Sequence, residues 1–227
     1  MDDPEKVAAY TRAGREDGVM APVYLFHAAQ ISEVVRPGDT VIDLGCGPAT
    51  QLAMVARLNP DCHFIGLDLS DEMLRRARAH IAEQGLQNVE FRETDITDLS
   101  AFEDGGIDAA MSTMVLHHLP DVAALEKTFA EVSRVVRPDG GLYLVDFGHL
   151  KSETSINYFA YQYADRQPEL FTLDYLYSLR AAFDREDFKR LAETYLAGRA
   201  KFYSTFIMPF MVAVKSAPRA QNTALVR

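Results

Sequence analysis

From residue 40 to residue 147 short apolar runs alternate with amphipathic runs, the pattern of βα units that build a parallel sheet covered by helices. Pro37 and Gly38 make a turn, and TVIDL (40–44) then predicts a buried strand. A helix follows from about Ala49 until Asn59 and Pro60 stop it. HFIGLDL (63–69) predicts the second strand. Ser70 caps the next helix, whose first turn carries Asp71 and Glu72 where negative charge suits the helix dipole, and Gly85 ends it. NVEFRET (88–94) predicts the third strand, and IDAAMSTM (107–114) the fourth, after the Gly105 and Gly106 turn. A helix from about Asp121 places Leu125, Phe129, Val132 and Val136 at core-facing spacing. The turn Pro138, Asp139, Gly140, Gly141 leads into the fifth strand, LYLVDF.

After Phe147 the pattern changes. Residues 150–183 carry eight Tyr or Phe residues in mostly helical sequence, which reads as an inserted helical cap rather than another βα unit. A helix near 185–197 and two strands near 200–206 and 209–215 complete the chain, and the short link between those strands suits an antiparallel pair at a sheet edge. The expected fold is a single α/β domain over residues 1–227: a Rossmann-like, doubly wound, mostly parallel seven-stranded sheet with an antiparallel edge strand, preceded by a helical segment at 1–36.

Composition narrows the function classes. The 227 residues carry a formal charge of −10, a balance that repels a phosphate backbone and argues against nucleic acid as a partner. The longest apolar run, FIMPFMVAV (206–214), is short and broken by Pro209, so no membrane span is expected. The opening Met1, Asp2, Asp3 is acidic where a targeting peptide is basic, which predicts a cytoplasmic protein. Two cysteines, Cys46 and Cys62, make neither a disulfide framework nor a four-cysteine zinc site. No carboxylate spacing converges on a divalent cation, so no metal is expected.

The candidate chemistry starts at VIDLGCGPAT (41–50). Gly45 and Gly47 stand between a strand and a helix, where the missing Cβ lets backbone N–H groups approach a ligand. A dinucleotide turn wants Gly-x-Gly-x-x-Gly, but Pro48 follows Gly47 directly and Thr50 occupies the third glycine's place. Asp68 closes the second strand, where a carboxylate accepts from ribose hydroxyls. The acid-x-Gly-x-Gly-x-Gly turn of class I S-adenosylmethionine-dependent methyltransferases resembles Asp43, Gly45 and Gly47, with Ala49 replacing the last glycine. GLDLSDEMLRRAR is similar to the family's second motif, and RVVRPDGGLYLVDF to the helix, turn and fifth strand of its small-molecule members, so that the likeness spans about residues 38–147.

The resemblance implies S-adenosyl-L-methionine as cofactor, held by Tyr10, Asp43, Gly45, Cys46, Gly47, Asp68, Leu69, Met73, Asp95, Ile96 and Thr113. Asp43 would fix the amino group, Asp68 the ribose, Leu69 and Met73 the adenine faces, and Asp95 with Ile96 the adenine edge. Tyr10, Arg12 and Arg15 lie in the segment expected to act as a lid. Each residue also admits a plain structural role: Met73 as core, Asp95 as a loop carboxylate, the glycines as a tight turn. In MVLHHLPD, His117 and His118 follow the fourth strand, and His118 is the candidate base. Asp146 and His149 make a second candidate carboxylate and imidazole pair. The expected activity is methyl transfer to an oxygen, nitrogen or carbon of a small aromatic or apolar metabolite; no Asn-Pro-Pro-Tyr-type motif of amino methylation occurs. A homodimer is compatible. The competing readings are a nicotinamide-dependent oxidoreductase on a related sheet and a noncatalytic interaction protein with this fold.

Overall fold

A computed structural model describes residues 20–205 and 210–219. The sheet runs through β1 (Thr40–Leu44), β2 (His63–Asp68), β3 (Val89–Glu93), β4 (Ile107–Thr113), β5 (Val136–Phe147), β6 (Ala200–Ser204) and β7 (Met211–Ser216). Its strand order is β3-β2-β1-β4-β5-β7-β6, with β1 to β5 parallel and β7 antiparallel to both of its neighbours. The helices are α1 (Ala21–Ser32), α2 (Thr50–Leu58), α3 (Asp71–Glu83), α4 (Val122–Val135), α5 (Glu153–Tyr161), α6 (Glu169–Ala181) and α7 (Arg185–Tyr195). None of the helices among the described residues is long and apolar enough to cross a membrane.

The central strands read as nearly continuous apolar runs because both of their faces are covered. Alternate residues feed two cores. Val41, Phe64, Tyr143 and Val145 pack with α1, α2 and α3, whereas Ile42, Leu44, Ile65, Leu67, Leu142 and Leu144 pack with α4 and α7. The period of two in the strands thus becomes a three-layer sandwich. Ser70 caps α3 by accepting from the Met73 N–H, and Asp121 caps α4 by accepting from the Ala124 N–H at 2.8 Å.

Two local expectations are corrected. Val136 is buried, but it opens β5 instead of closing α4. The Pro138–Gly141 turn lies inside β5: Ile107 pairs with Val136 and Ala109 already pairs with Gly141, so residues 137–140 arch out as a bulge. A Cβ on Gly141 would stand 2.0 Å from the Val34 carbonyl oxygen, so its glycine is demanded by close backbone packing.

The stretch after β5 folds as two helices, α5 and α6, that pack on each other. Ile156, Ala160, Leu176 and Leu179 bury into the core on the α1 side, while Tyr158, Tyr161 and Tyr177 face outward. In addition, α6 packs on the single turn of 3-10 helix at Leu116–His118 that follows β4.

Candidate functional site

The chain leaves β1 toward one side of the sheet and β4 toward the other, which opens a crevice at the C-terminal strand ends where ligands of open α/β sheets bind. A cavity of about 430 Å³ lies there, within the size range of small-molecule sites. Asp43, Gly45, Cys46, Gly47, Asp68, Leu69, Met73, Asp95, Ile96, Thr113 and His118 all line it. Of the other residues singled out in the sequence, His117, Asp146 and His149 do not line it, and Tyr10, Arg12 and Arg15 lie outside the described residues.

The turn after β1 is left-handed at three alternate residues, Gly45 (φ 70°), Gly47 (φ 52°) and Ala49 (φ 61°). Each demands a conformation in which a Cβ is costly, so Ala49 carries strain that the family's glycine does not. A Cβ on Gly45 would meet Val115 Cγ2 at 2.2 Å, which shows how closely the segments after β1 and β4 approach. A Cβ on Gly47 would meet nothing within 4 Å. The Cys46 N–H donates to the Leu67 carbonyl at 2.8 Å, fastening the turn to β2.

Asp68 accepts from the Gly47 N–H at 2.8 Å through one oxygen and from the Ser70 N–H at 2.9 Å through the other. Each oxygen keeps acceptor capacity for a second donor. Desolvation raises the Asp68 pKa, opposed by the hydrogen bonds from Ser70 and Gly47. Asp43 is buried, and desolvation first, then the charge of Asp68, push its pKa up to about 8. Two carboxylates thus share one cavity, an arrangement that a cationic ligand relieves. Burial beside them drives the Cys46 thiol well up, so it stays neutral.

Sequence reasoning assigned no site role to several polar groups of the wall. Tyr24 of α1 lines the cavity, as do Thr50 and Gln51 in the first turn of α2. The Gln51 amide donates to the Tyr24 carbonyl at 3.1 Å, but its Oε1 and the Thr50 Oγ1 are buried with no partner among the described residues. Ala49 supplies no side-chain cap, so α2 begins at the cavity without a side-chain acceptor for its first N–H groups. Thr50 and Gln51 stand directly after the glycine turn; Tyr24 had no signal, since nothing in its own segment marks it as close to that turn.

His118 is exposed and lines the cavity from the turn after β4, and desolvation there, then His117 beside it, lowers its pKa to about 4. The expected Asp146 and His149 pair does not form. His149 Nδ1 bonds the Ala182 carbonyl oxygen at 3.2 Å, and Asp146 pairs with His117 Nδ1 at 2.7 Å. Asp95 accepts from the Thr97 N–H and hydroxyl, both at 2.8 Å, which orders its loop. Among the described residues no three His, Cys, Asp or Glu side chains are grouped to hold a metal ion.

A family profile described as a methyltransferase domain matches residues 36–193, which includes every strand and helix that builds this cavity except α1. The chain belongs to the methyltransferase-domain family. Within it, the chain is 34% identical over 113 residues to an arsenite methyltransferase of Halobacterium salinarum, covering 49% of this chain and 28% of that protein. It is 30% identical over 132 residues to a ubiquinone biosynthesis O-methyltransferase of Xanthomonas campestris, covering 56% and 53%. The methyltransferase-domain chain thus spans about half or less of the length of these curated relatives. A SAM-dependent methyltransferase from Aquifex aeolicus shares the fold, with a TM-score of 0.63 at 18% identity over 95% of this chain and 98% of that one.

Proposed function

We propose that this methyltransferase-domain protein binds S-adenosylmethionine in the cavity and transfers its methyl group to a small apolar or aromatic molecule. The observation that carries the reading is the set of polar groups gathered around one cavity: the Asp43 and Asp68 carboxylates together, and the orphaned Thr50 Oγ1 and Gln51 Oε1 beside them. They fit a ligand with a cationic amino acid end and a nucleoside diol. In this reading Asp43, with Thr50, Gln51 and the start of α2, holds the amino acid end, and Gly47 leaves room for it. Asp68 takes the ribose hydroxyls with its remaining acceptor capacity. Leu69 and Met73 flank the adenine, while Asp95 and Ile96 meet its edge and Cys46 and Thr113 complete the wall. The bound sulfonium supplies an electrophilic methyl group, so this chain's own task is to align an acceptor and shield the reaction from water.

Arsenite is a poor fit as the acceptor, because soft ions want several thiolates. Cys62 precedes β2 at the opposite sheet edge, and its thiol is pushed up to about 11 by burial. Pro48 and Thr50, which stand where a dinucleotide turn needs open backbone, both line the cavity and support the methyl-transfer reading over the nicotinamide one.

Isothermal titration with S-adenosylmethionine and S-adenosylhomocysteine tests the proposal, and neither binding at submillimolar concentration would refute it. Asp68→Ala is expected to weaken binding about ten- to a hundredfold, since a charge-assisted acceptor is worth roughly 1.5–3 kcal/mol; unchanged affinity removes Asp68 from the site. Turnover against metabolite pools separates an enzyme from a noncatalytic protein that keeps the cofactor site.

A further inference from the structure

The loop that joins β3 to β4 brings Thr94, Asp95 and Ile96 to the cavity wall and then runs back along α4. Its apolar anchors, Leu99 and Phe102, bury in the core on the α4 side. At Leu99 the backbone is also gripped by an ion pair. Glu131 and Arg134 stand one turn apart on α4, a helix fixed by the fully buried Phe129, Val132 and Val135. Glu131 Oε2 accepts from the Leu99 N–H at 2.7 Å and from Arg134 Nη2 at 2.7 Å, and the same Nη2 donates to the Leu99 carbonyl at 2.9 Å. One residue is thus held by its N–H and its carbonyl in a closed circuit of hydrogen bonds. Arg134 Nε donates to Glu131 Oε1 at 2.9 Å, and Nη1 donates to the Phe102 carbonyl at 2.9 Å and to Asp104 at 2.7 Å. Every N–H of the guanidinium is engaged.

A partly exposed ion pair adds little stability, and Leu99 and Phe102 already anchor the loop, so folding alone does not account for a guanidinium spent wholly on it. The position of the pair does. Thr97, Asp98 and Ser100 border an open cleft of about 400 Å³ against Lys127 and Ala130 of α4. This stretch has no close-packed backing, and the circuit at Leu99 fixes its distance from the helix. Asp95 lies just ahead of it and is tied into the same turn. The Asp98 N–H donates to the Asp95 carbonyl at 3.0 Å, and Asp95 Oδ1 accepts from the Thr97 N–H and hydroxyl, which leaves Oδ2 to a ligand. Bracing therefore runs from α4 through Leu99 to a carboxylate of the cavity wall.

We propose that the Glu131–Arg134 pair positions the loop for base recognition and makes the cavity select a 6-aminopurine over a 6-oxopurine. The inference rests on the methyl-transfer reading above and names the residues that set the selectivity of its cofactor site. An adenine edge offers a donor to Asp95 Oδ2 and an acceptor to the Ile96 N–H. A hypoxanthine edge reverses both, setting an oxygen against the carboxylate and an N–H against the N–H. A loop free to move away relieves that clash, and a braced one does not. The pair thus acts on the penalty for the wrong base more than on the affinity for the right one.

The test is calorimetry on the full chain with S-adenosylhomocysteine and S-inosylhomocysteine as matched ligands. Wild type should prefer the adenosyl ligand by about tenfold or more, because the inosyl ligand leaves a charged acceptor unpaired. Arg134→Gln, which opens the circuit, should bring the ratio to within about threefold. Glu131→Gln keeps an acceptor for the Leu99 N–H but loses the charge pairing, and should fall between. Asp68→Ala should weaken both ligands alike and leave the wild-type ratio. Partial unfolding lowers the apparent affinity for both ligands by one factor, so the ratio reads the bracing and not stability. A wild-type ratio in both Arg134→Gln and Glu131→Gln overturns the proposal. Equal binding of the two ligands by wild type also overturns it, since Asp95 and Ile96 then do not read the base. Binding of neither ligand refutes the methyl-transfer reading instead.

Discussion

Replacing Asp43 by Asn should remove a specific pH dependence of stability. In the folded chain the Asp43 pKa is raised from an ordinary 3.8 to about 8, first by desolvation and then by Asp68. Across that interval the native state holds a proton that the unfolded chain releases. The stabilisation is complete below about pH 3.8 and is lost as pH rises to about 8. His27 and His118 act in the opposite sense, since burial lowers both to about 4 and their contributions are lost as pH falls below 6.5. The informative window therefore runs from pH 6.5 to 8.5, where the remaining histidine protonation is common to parent and variant and cancels in their comparison. There the parent should lose about 2 kcal/mol through Asp43, at about 1.4 kcal/mol per pH unit until the group ionises. Asp43→Asn should not, so urea denaturation should show the variant gaining roughly 1 M in midpoint over the parent across the window. Parallel stability curves for the two proteins would refute the buried-proton account.

Two further outcomes follow from the packing. Gly45→Ala puts a Cβ 2.2 Å from Val115 Cγ2 at φ 70°, and strain plus overpacking should cost about 2–4 kcal/mol by denaturation; Val115→Ala in the same chain should recover part of that loss, and no recovery would mean that the contact is not the cause. His27, fully buried with its Nδ1 2.7 Å from the Tyr143 hydroxyl oxygen, must stay neutral in the folded chain. His27→Phe should therefore flatten the decline in stability between pH 6.5 and 4 by about 1.4 kcal/mol per pH unit, and an unchanged acid limb would place the sensitivity elsewhere.

Local periodicity carried most of the fold, because the four strands β1, β2, β4 and β5, covered on both faces, announce themselves as apolar runs and the helices α3 and α4 begin at Ser70 and Asp121 caps. What it misjudged depends on contacts between distant segments. Residues 138–141 have turn chemistry, but the partner strand draws them into β5 as a bulge, and Gly141 is needed because the Val34 carbonyl lies against it. The residues that line the cavity from the ends of β1 and β2 were legible because they lie in fixed order at strand ends. The partner of Asp146 was not: pairing it with His117 rather than His149 requires knowing which ring faces the carboxylate across two strands. No spacing in one chain encodes that.

The cap enters after Phe147 and is rejoined to the sandwich at Asp184, the residue before α7. Neither anchor belongs to the strand ends after β1, β2 and β3 that line the cavity. The helices between them make a cassette, held by Ile156, Ala160, Leu176 and Leu179. Because no residue of α5 or α6 lines the cavity, the two helices can vary in sequence without touching its wall, provided that the four apolar anchors keep their volume.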